Sequence, residues 1–143
     1  MQTVAAAARP GHPSIRIDES GDPWLRGFRC GACGAVMPDQ TLACRACAAR
    51  GSTAPFRAAP HGRLHAWTVV HRSYPGVAVP FVSAIVDLAD GLTLKGTLRG
   101  VDGAALAAGL PVALVFDDAG GATDREGAPF IGFHFVSAAG DGE

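Results

Sequence analysis

The second half of the chain reads in steps of two. Leu64, Ala66, Thr68 and Val70 alternate with His65, Trp67, Val69 and His71, the period of a long β-strand. Tyr74, Pro75, Gly76 and Pro80 mark a loop. Residues 81–88 are apolar nearly throughout, which predicts a strand that is central or buried on both faces. Asp90-Gly91 is a hairpin turn signal. In the strand that follows, Leu92, Leu94 and Leu98 fall on one side, and Thr93, Lys95, Thr97 and Arg99 on the other. Residues 102–108 place helix-forming alanines behind an Asp in the N-cap position, and Gly109 stops them. Pro111 opens a fourth strand at 112–116. A Gly- and Asp-rich loop spans 117–127, and a fifth strand spans 129–137. Five strands with one short helix between the third and fourth is the order of an oligonucleotide/oligosaccharide-binding (OB) barrel.

The first third has no such period. Residues 1–22 are rich in Ala, Pro, Gly and Ser and predict a flexible arm that a partner orders. Ile15 and Ile17 alternate with Arg16 and Asp18, which allows a short extended stretch. Four cysteines follow, Cys30, Cys33, Cys44 and Cys47, as two CxxC pairs. Each pair can sit on a tight turn that points both sulfurs at one centre, and two facing turns make a tetrahedral S₄ site. A structural zinc ribbon is the first reading. A mononuclear iron site of rubredoxin type is the second, because S₄ tetrahedra accept both metals. Disulfides or free thiols are the third; disulfides need an oxidising compartment. The first knuckle carries Gly31 and Gly34, suited to positive φ and close backbone approach. The second lacks a glycine after Cys47. Phe28, Val36, Met37 and Leu42 are the expected apolar padding. The predicted organisation is an arm (1–22), a rubredoxin-like Cys₄ zinc ribbon (23–54), an OB barrel (55–138) and a disordered tail (139–143), mainly β throughout.

Composition agrees with short strands and turns: charged residues are 17%, against 19 Gly and 10 Pro. Formal net charge is −1, without the basic excess of a dedicated nucleic-acid binder. Apolar runs break well short of the ~20 residues of a membrane span. The alanine run near the start lacks a basic region followed by a long apolar core, so the expected location is the cytoplasm.

A catalytic centre is not legible. The sequence has no Gly-x-Ser-x-Gly elbow and no Walker loop. Four protein ligands on a metal leave no open coordination position. Asp87, Asp90, Asp102, Asp117 and Asp118 fall near turns or strand ends, where solvation is the usual reason. His65 and His71 fall on one face of the first barrel strand and read as a polar strip rather than an acid–base pair. His134, between Phe133 and Phe135, reads as an outward strand residue. Trp24 caps the metal module or packs on the barrel; partner contact is the alternative.

The Cys30-to-Cys47 knuckles are followed by Gly62-Arg63-Leu64-His65-Ala66-Trp67-Thr68-Val69-Val70-His71. Pro80-Phe81-Val82-Ser83-Ala84-Ile85-Val86-Asp87-Leu88 and Gly109-Leu110-Pro111-Val112-Ala113-Leu114-Val115-Phe116 come next. Together, over about residues 24–137, these stretches resemble the bacterial and archaeal zinc-ribbon/OB-fold proteins known as domain of unknown function 35 (DUF35). The sequence departs from that family at its start: a helical arm with Phe-Trp and a basic stretch is reduced to Pro23-Trp24-Leu25-Arg26. The resemblance implies a non-catalytic accessory subunit with one structural Zn²⁺ per chain. The implied partner is a thiolase-like enzyme or a MaoC-like hydratase acting on acyl-CoA. It also implies help in holding the CoA thioester, for which Arg72, Lys95 and Arg99 are the candidate phosphate contacts. Trp24 and Val36 are the candidate partner contacts. Single-stranded nucleic acid is the alternative ligand. That mode needs stacking aromatics in a basic groove, and only Trp67 and Tyr74 stand near basic positions.

Overall fold

A computed structural model describes residues 7–138. Its strands are β1 (Arg9–Pro10), β2 (Ile15–Ile17), β3 (Pro23–Cys30), β4 (Val36–Met37), β5 (Thr53–Arg57), β6 (His61–Val70), β7 (Phe81–Leu88), β8 (Thr93–Arg99), β9 (Pro111–Asp117) and β10 (Phe130–Ser137). The short helix expected at 102–108 is a single 3₁₀ turn, Gly103–Ala105, capped by the Asp102 side chain. Three consecutive Gly and Ala residues supply too few hydrogen bonds to propagate an α-helix past its costly first turn. No helix among the described residues is long and apolar enough to cross a membrane.

Strands β6 to β10 close into a five-stranded barrel. Antiparallel pairs join β6 to β7 and β7 to β8; β8 runs parallel to β10; β10 pairs antiparallel with β9, and β9 returns to β6. The inside is filled by Leu64, Ala84, Val86, Leu94, Leu98, Val112, Leu114 and Phe135, all buried. Gly96 makes room for the largest of them: a Cβ there would stand 2.8 Å from the Phe135 ring.

Two expectations for this barrel change. β7 is central, but only one of its faces is buried; Ala84, Val86 and Leu88 point in, while Ile85 is 38% exposed. In β6 the alternation breaks at a bulge between Leu64 and Ala66. Directly opposed residues share a face. Leu64 lies opposite Val86, and Trp67 opposite Ala84. The bulge therefore turns Trp67 and Val69 to the inner side and leaves both partly exposed. His71 lies beyond the end of β6, so it does not share a strand face with His65.

The cysteine module is built on β3, which pairs antiparallel with β2, β4 and β5. Residues on its two faces go to different cores. Leu25 joins Ile15, Ala58, Leu92 and the barrel interior in one cluster. Phe28 and Cys30 join Met37 and Cys44 in a second, small one. Leu42, expected in this padding, is 91% exposed.

The arm expected at 1–22 is in large part folded onto the protein. Arg9 and Pro10 pair with Phe130 and Ile131 on the barrel, and Ile15 is fully buried between the two halves. The Ile15–Arg16–Ile17 alternation carried this signal. The expectations for residues 1–6 and 139–143 lie outside the described residues.

Candidate metal centre

The two CxxC knuckles are built alike. In the first, the Gly34 N–H donates to the Cys30 carbonyl and the Cys30 N–H to the Ala35 carbonyl, each at 2.8 Å. In the second, the Ala48 N–H donates to the Cys44 carbonyl and the Cys44 N–H to the Ala49 carbonyl, again at 2.8 Å. Gly34 and Ala48 occupy equivalent places and both have positive φ, 79° and 65°. The turns bring all four sulfurs within 4.8 Å of one another, with Cys30–Cys47 at 3.8 Å and Cys33–Cys44 at 3.6 Å. Four sulfurs at ~2.3 Å from one metal stand about 3.8 Å apart along the edges of a tetrahedron. The donor set thus fits a tetrahedral thiolate-bound ion.

The surroundings favour the thiolate at Cys30 and Cys44. The Ser52 hydroxyl, 3.1 Å from Cys30 Sγ, acts with the Cys33 and Ala32 N–H groups to lower the Cys30 thiol to about 6. The Cys47 and Ala46 N–H groups lower Cys44. The Ala35 N–H acts to lower Cys33, but desolvation and the neighbouring sulfurs outweigh it and raise that thiol to about 12. Four thiolates this close repel one another, and a dication at their centre removes the conflict. A four-thiolate ion supplies a structural cross-link between the knuckles and no open position for substrate. Ser52 carried no sequence signal, because its role depends on β5 returning beside Cys30.

The other candidates fall in separate places. Trp24 is half-buried on β3, under the Arg57 guanidinium at 5.0 Å, and is part of neither apolar cluster. Val36 on β4 is half-buried against the barrel core cluster. Lys95 and Arg99 are exposed on β8, and Arg72 is exposed in the loop between β6 and β7. Arg99 lines a cleft of about 540 Å³ with Val77, Phe81, Val82, Leu98 and Val101; Lys95 and Arg72 lie outside its lining.

The aspartates have structural work. Asp90 accepts from the Ala59 N–H at 2.6 Å, which ties the cysteine-module exit to the β7–β8 turn. Asp102 caps the 3₁₀ turn Gly103–Ala105, and Asp118 caps a second one, Ala119–Gly121. Asp87 accepts from Thr93 at 2.8 Å and pairs with His65 at 2.9 Å. His134 lies on the outer face of β10, opposite Val115, but it is not isolated there: its side chain is only 13% exposed and its Nδ1 lies 2.6 Å from Asp117 Oδ2. The pair joins β10 to β9, and neither residue's neighbours in sequence signal the other.

Residues 57–117 match the family model for the ChsH2 C-terminal OB-fold domain. The barrel is thus similar to OB-fold domains of the DUF35 type. The chain has a curated relative in Mycobacterium tuberculosis (strain ATCC 25618 / H37Rv), the 3-oxo-4,17-pregnadiene-20-carboxyl-CoA hydratase alpha subunit. The two are 46% identical over 52 residues, 35% of this chain and 17% of that protein. The chain thus matches less than a fifth of that relative's length. A chain of the solved Ltp2-ChsH2(DUF35) aldolase superposes with a TM-score of 0.63 at 26% identity, covering 81% of this chain and 86% of that one. Residues 55–138 make up less than two thirds of the chain, so the superposition also takes in residues before the barrel.

Proposed function

We propose that the chain is a non-catalytic accessory subunit of an acyl-CoA-processing enzyme complex. Its cysteines hold one structural Zn²⁺, and its most fitting partner is a thiolase-like enzyme, with a MaoC-like hydratase next. The observation that carries this reading is the likeness to the Ltp2-ChsH2(DUF35) aldolase chain over the barrel and residues before it. The name of the mycobacterial relative, a subunit of a hydratase for a CoA thioester, supports the substrate class. The residues agree. The thiolates are closed around one point, and the aspartates and His134 are engaged in caps and strand ties.

In this reading Arg99, at the cleft beside β7 and β8, meets a CoA phosphate, with Lys95 and Arg72 as outer cations. Purified protein is expected to hold about one zinc and to be colourless; visible absorption would instead identify iron. The chain alone should not turn over any acyl-CoA, and should co-purify with its acyl-CoA enzyme. Arg99→Ala should raise the KM of the complex for acyl-CoA about tenfold, the loss of one charge-assisted hydrogen bond, without disrupting assembly. Turnover by the chain alone overturns the accessory role. An unchanged KM removes the CoA contact and leaves scaffolding.

A further inference from the structure

Most large apolar side chains that this fold exposes are gathered in one place. Trp67 (37% exposed), Val69, Tyr74 (83%), Val77 and Val79 all fall on the β6–β7 hairpin, within residues 67–79. The bulge after Leu64 is the cause at the base of the hairpin, because it turns Trp67 and Val69 to the inner side where the barrel no longer covers them. The patch runs on into the Arg99 cleft, to which Val77 also belongs. Its exposed area is on the order of several hundred Å², given the 150–250 Å² that an aromatic side chain offers, and patches of this size mark interaction sites.

The charges on the hairpin say what kind of surface covers it. From residue 64 to residue 86 the chain has no Asp or Glu, but it has Arg72; Arg63 lies at the far end of β6, opposite Asp87. The lining of the adjoining cleft adds Arg99 and no acid. A second copy of the chain would place this patch against itself, since a two-fold contact is self-complementary, and would bring arginine against arginine. The complement is a different protein surface, apolar at its centre and acidic at its rim.

We infer that the β6–β7 hairpin is the surface through which this chain docks on an acidic-rimmed apolar face of its acyl-CoA enzyme. This rests on the accessory-subunit reading and moves the contact away from Trp24 and Val36. Docking there would set the enzyme beside the Arg99 cleft.

The test uses the full chain and thiolase-like or MaoC-like acyl-CoA enzymes of the same organism, co-expressed and co-purified. The triple variant Trp67→Ser, Tyr74→Ser, Val77→Ser should lose at least tenfold in affinity, while Val36→Ser stays within twofold. All three residues are exposed, so an unchanged thermal midpoint verifies the fold. Trp24 and Trp67 are the chain's two tryptophans. In a Trp24→Phe background, with a partner stripped of tryptophan fluorescence by 4-fluorotryptophan labelling, Trp67 emission should shift to the blue on binding. Equal affinity of the triple variant with no Trp67 shift overturns the docking surface and leaves the accessory reading standing. No association of the wild-type chain overturns both. Concentration-dependent self-association abolished by the triple variant overturns the hetero-contact in favour of a homodimer.

Discussion

The module and the barrel keep themselves folded by different means. The barrel cluster is a continuous apolar interior that includes Leu64, Val86, Leu98, Val112 and Phe135. The module's own cluster is Phe28, Cys30, Met37 and Cys44, and two of those four are sulfur donors. Burial can hold the first. It cannot hold the second, because so small a core returns too little against the conformational entropy of ordering the knuckles. With the proposed zinc bound, the module would rest on that ion and on what it borrows: Leu25 and Ile15 reach into the barrel core. The contrast implies that a metal-site lesion should melt one half locally, and a barrel lesion should lower the whole.

The largest effect is expected at the metal. Cys44→Ser removes one of four ligands, and metal binding contributes on the order of 10 kcal/mol to folding such a module. Zinc content should fall below one per chain, and amides over residues 31–51 should lose hydrogen-exchange protection. Amides of β6 to β10 should keep theirs, with a lowered midpoint because Leu25 and Ile15 are less firmly placed. Loss of protection throughout the chain would mean that the barrel has no stability of its own.

The converse lesion is Gly62→Ala. A Cβ at Gly62 would stand 2.2 Å from the Asp87 carbonyl oxygen and 2.6 Å from Leu88 Cα, both backbone atoms of the paired strand. The ladder must shift, at a cost of about 3 kcal/mol. Denaturant unfolding should show that loss, while metal stoichiometry stays at one. An alanine tolerated there without cost would mean that β6 and β7 pair less closely.

A smaller, pH-dependent tie joins β9 to β10. Desolvation acts to raise the Asp117 carboxyl, but the hydrogen bond from His134, the Ala119 N–H, and the charges of His134 and Arg99 outweigh it and hold it below its ordinary value. A carboxyl depressed in the folded state contributes stability that is present above its unfolded pKa and is lost as pH falls through its folded one. The stability advantage of wild type over Asp117→Asn should therefore be full above about pH 5 and shrink below about pH 4. A constant difference across that range would show that the carboxylate charge is not what matters.

These sites differ in how far the sequence announces them. Strand order, the inward leucines of β8 and the convergence of the four cysteines all follow from local period and spacing. What escaped depends on residues far apart in sequence. The β6 bulge changes which face Trp67 occupies, and nothing local marks it. His134 finds Asp117 only because β10 pairs with β9. Leu42 looks like padding by type, yet the small module has no interior left for it. Ile15 was visible as an alternating residue, but its burial required knowing that β3 presents Leu25 to the barrel. The 3₁₀ turn at Gly103–Ala105 had its cap in the sequence and lacked the length for an α-helix.

The smallest expected effect lies within the module, at the position that follows the last cysteine of each knuckle. Gly34 and Ala48 each follow the last cysteine of a pair, and each donates the same 2.8 Å hydrogen bond to the first. Both have left-handed backbone, but only one is a glycine. For an L-residue with a Cβ that conformation costs roughly 1 kcal/mol, and nothing lies within 4 Å of the Cβ position at Gly34 to add to it. Ala48→Gly should relieve that strain, and Gly34→Ala should introduce it. Because metal binding and folding of the knuckles are linked, about 1 kcal/mol appears as a roughly fivefold change in apparent zinc affinity. Competition with a chromophoric chelator should find Ala48→Gly tighter and Gly34→Ala weaker by similar factors, with the double variant near wild type. The unfolded chain sets a limit on the gain, since glycine also widens its freedom. If Ala48→Gly weakens zinc binding while Gly34→Ala also weakens it, that entropy exceeds the strain, and the second knuckle is better held by alanine than its backbone angle suggests.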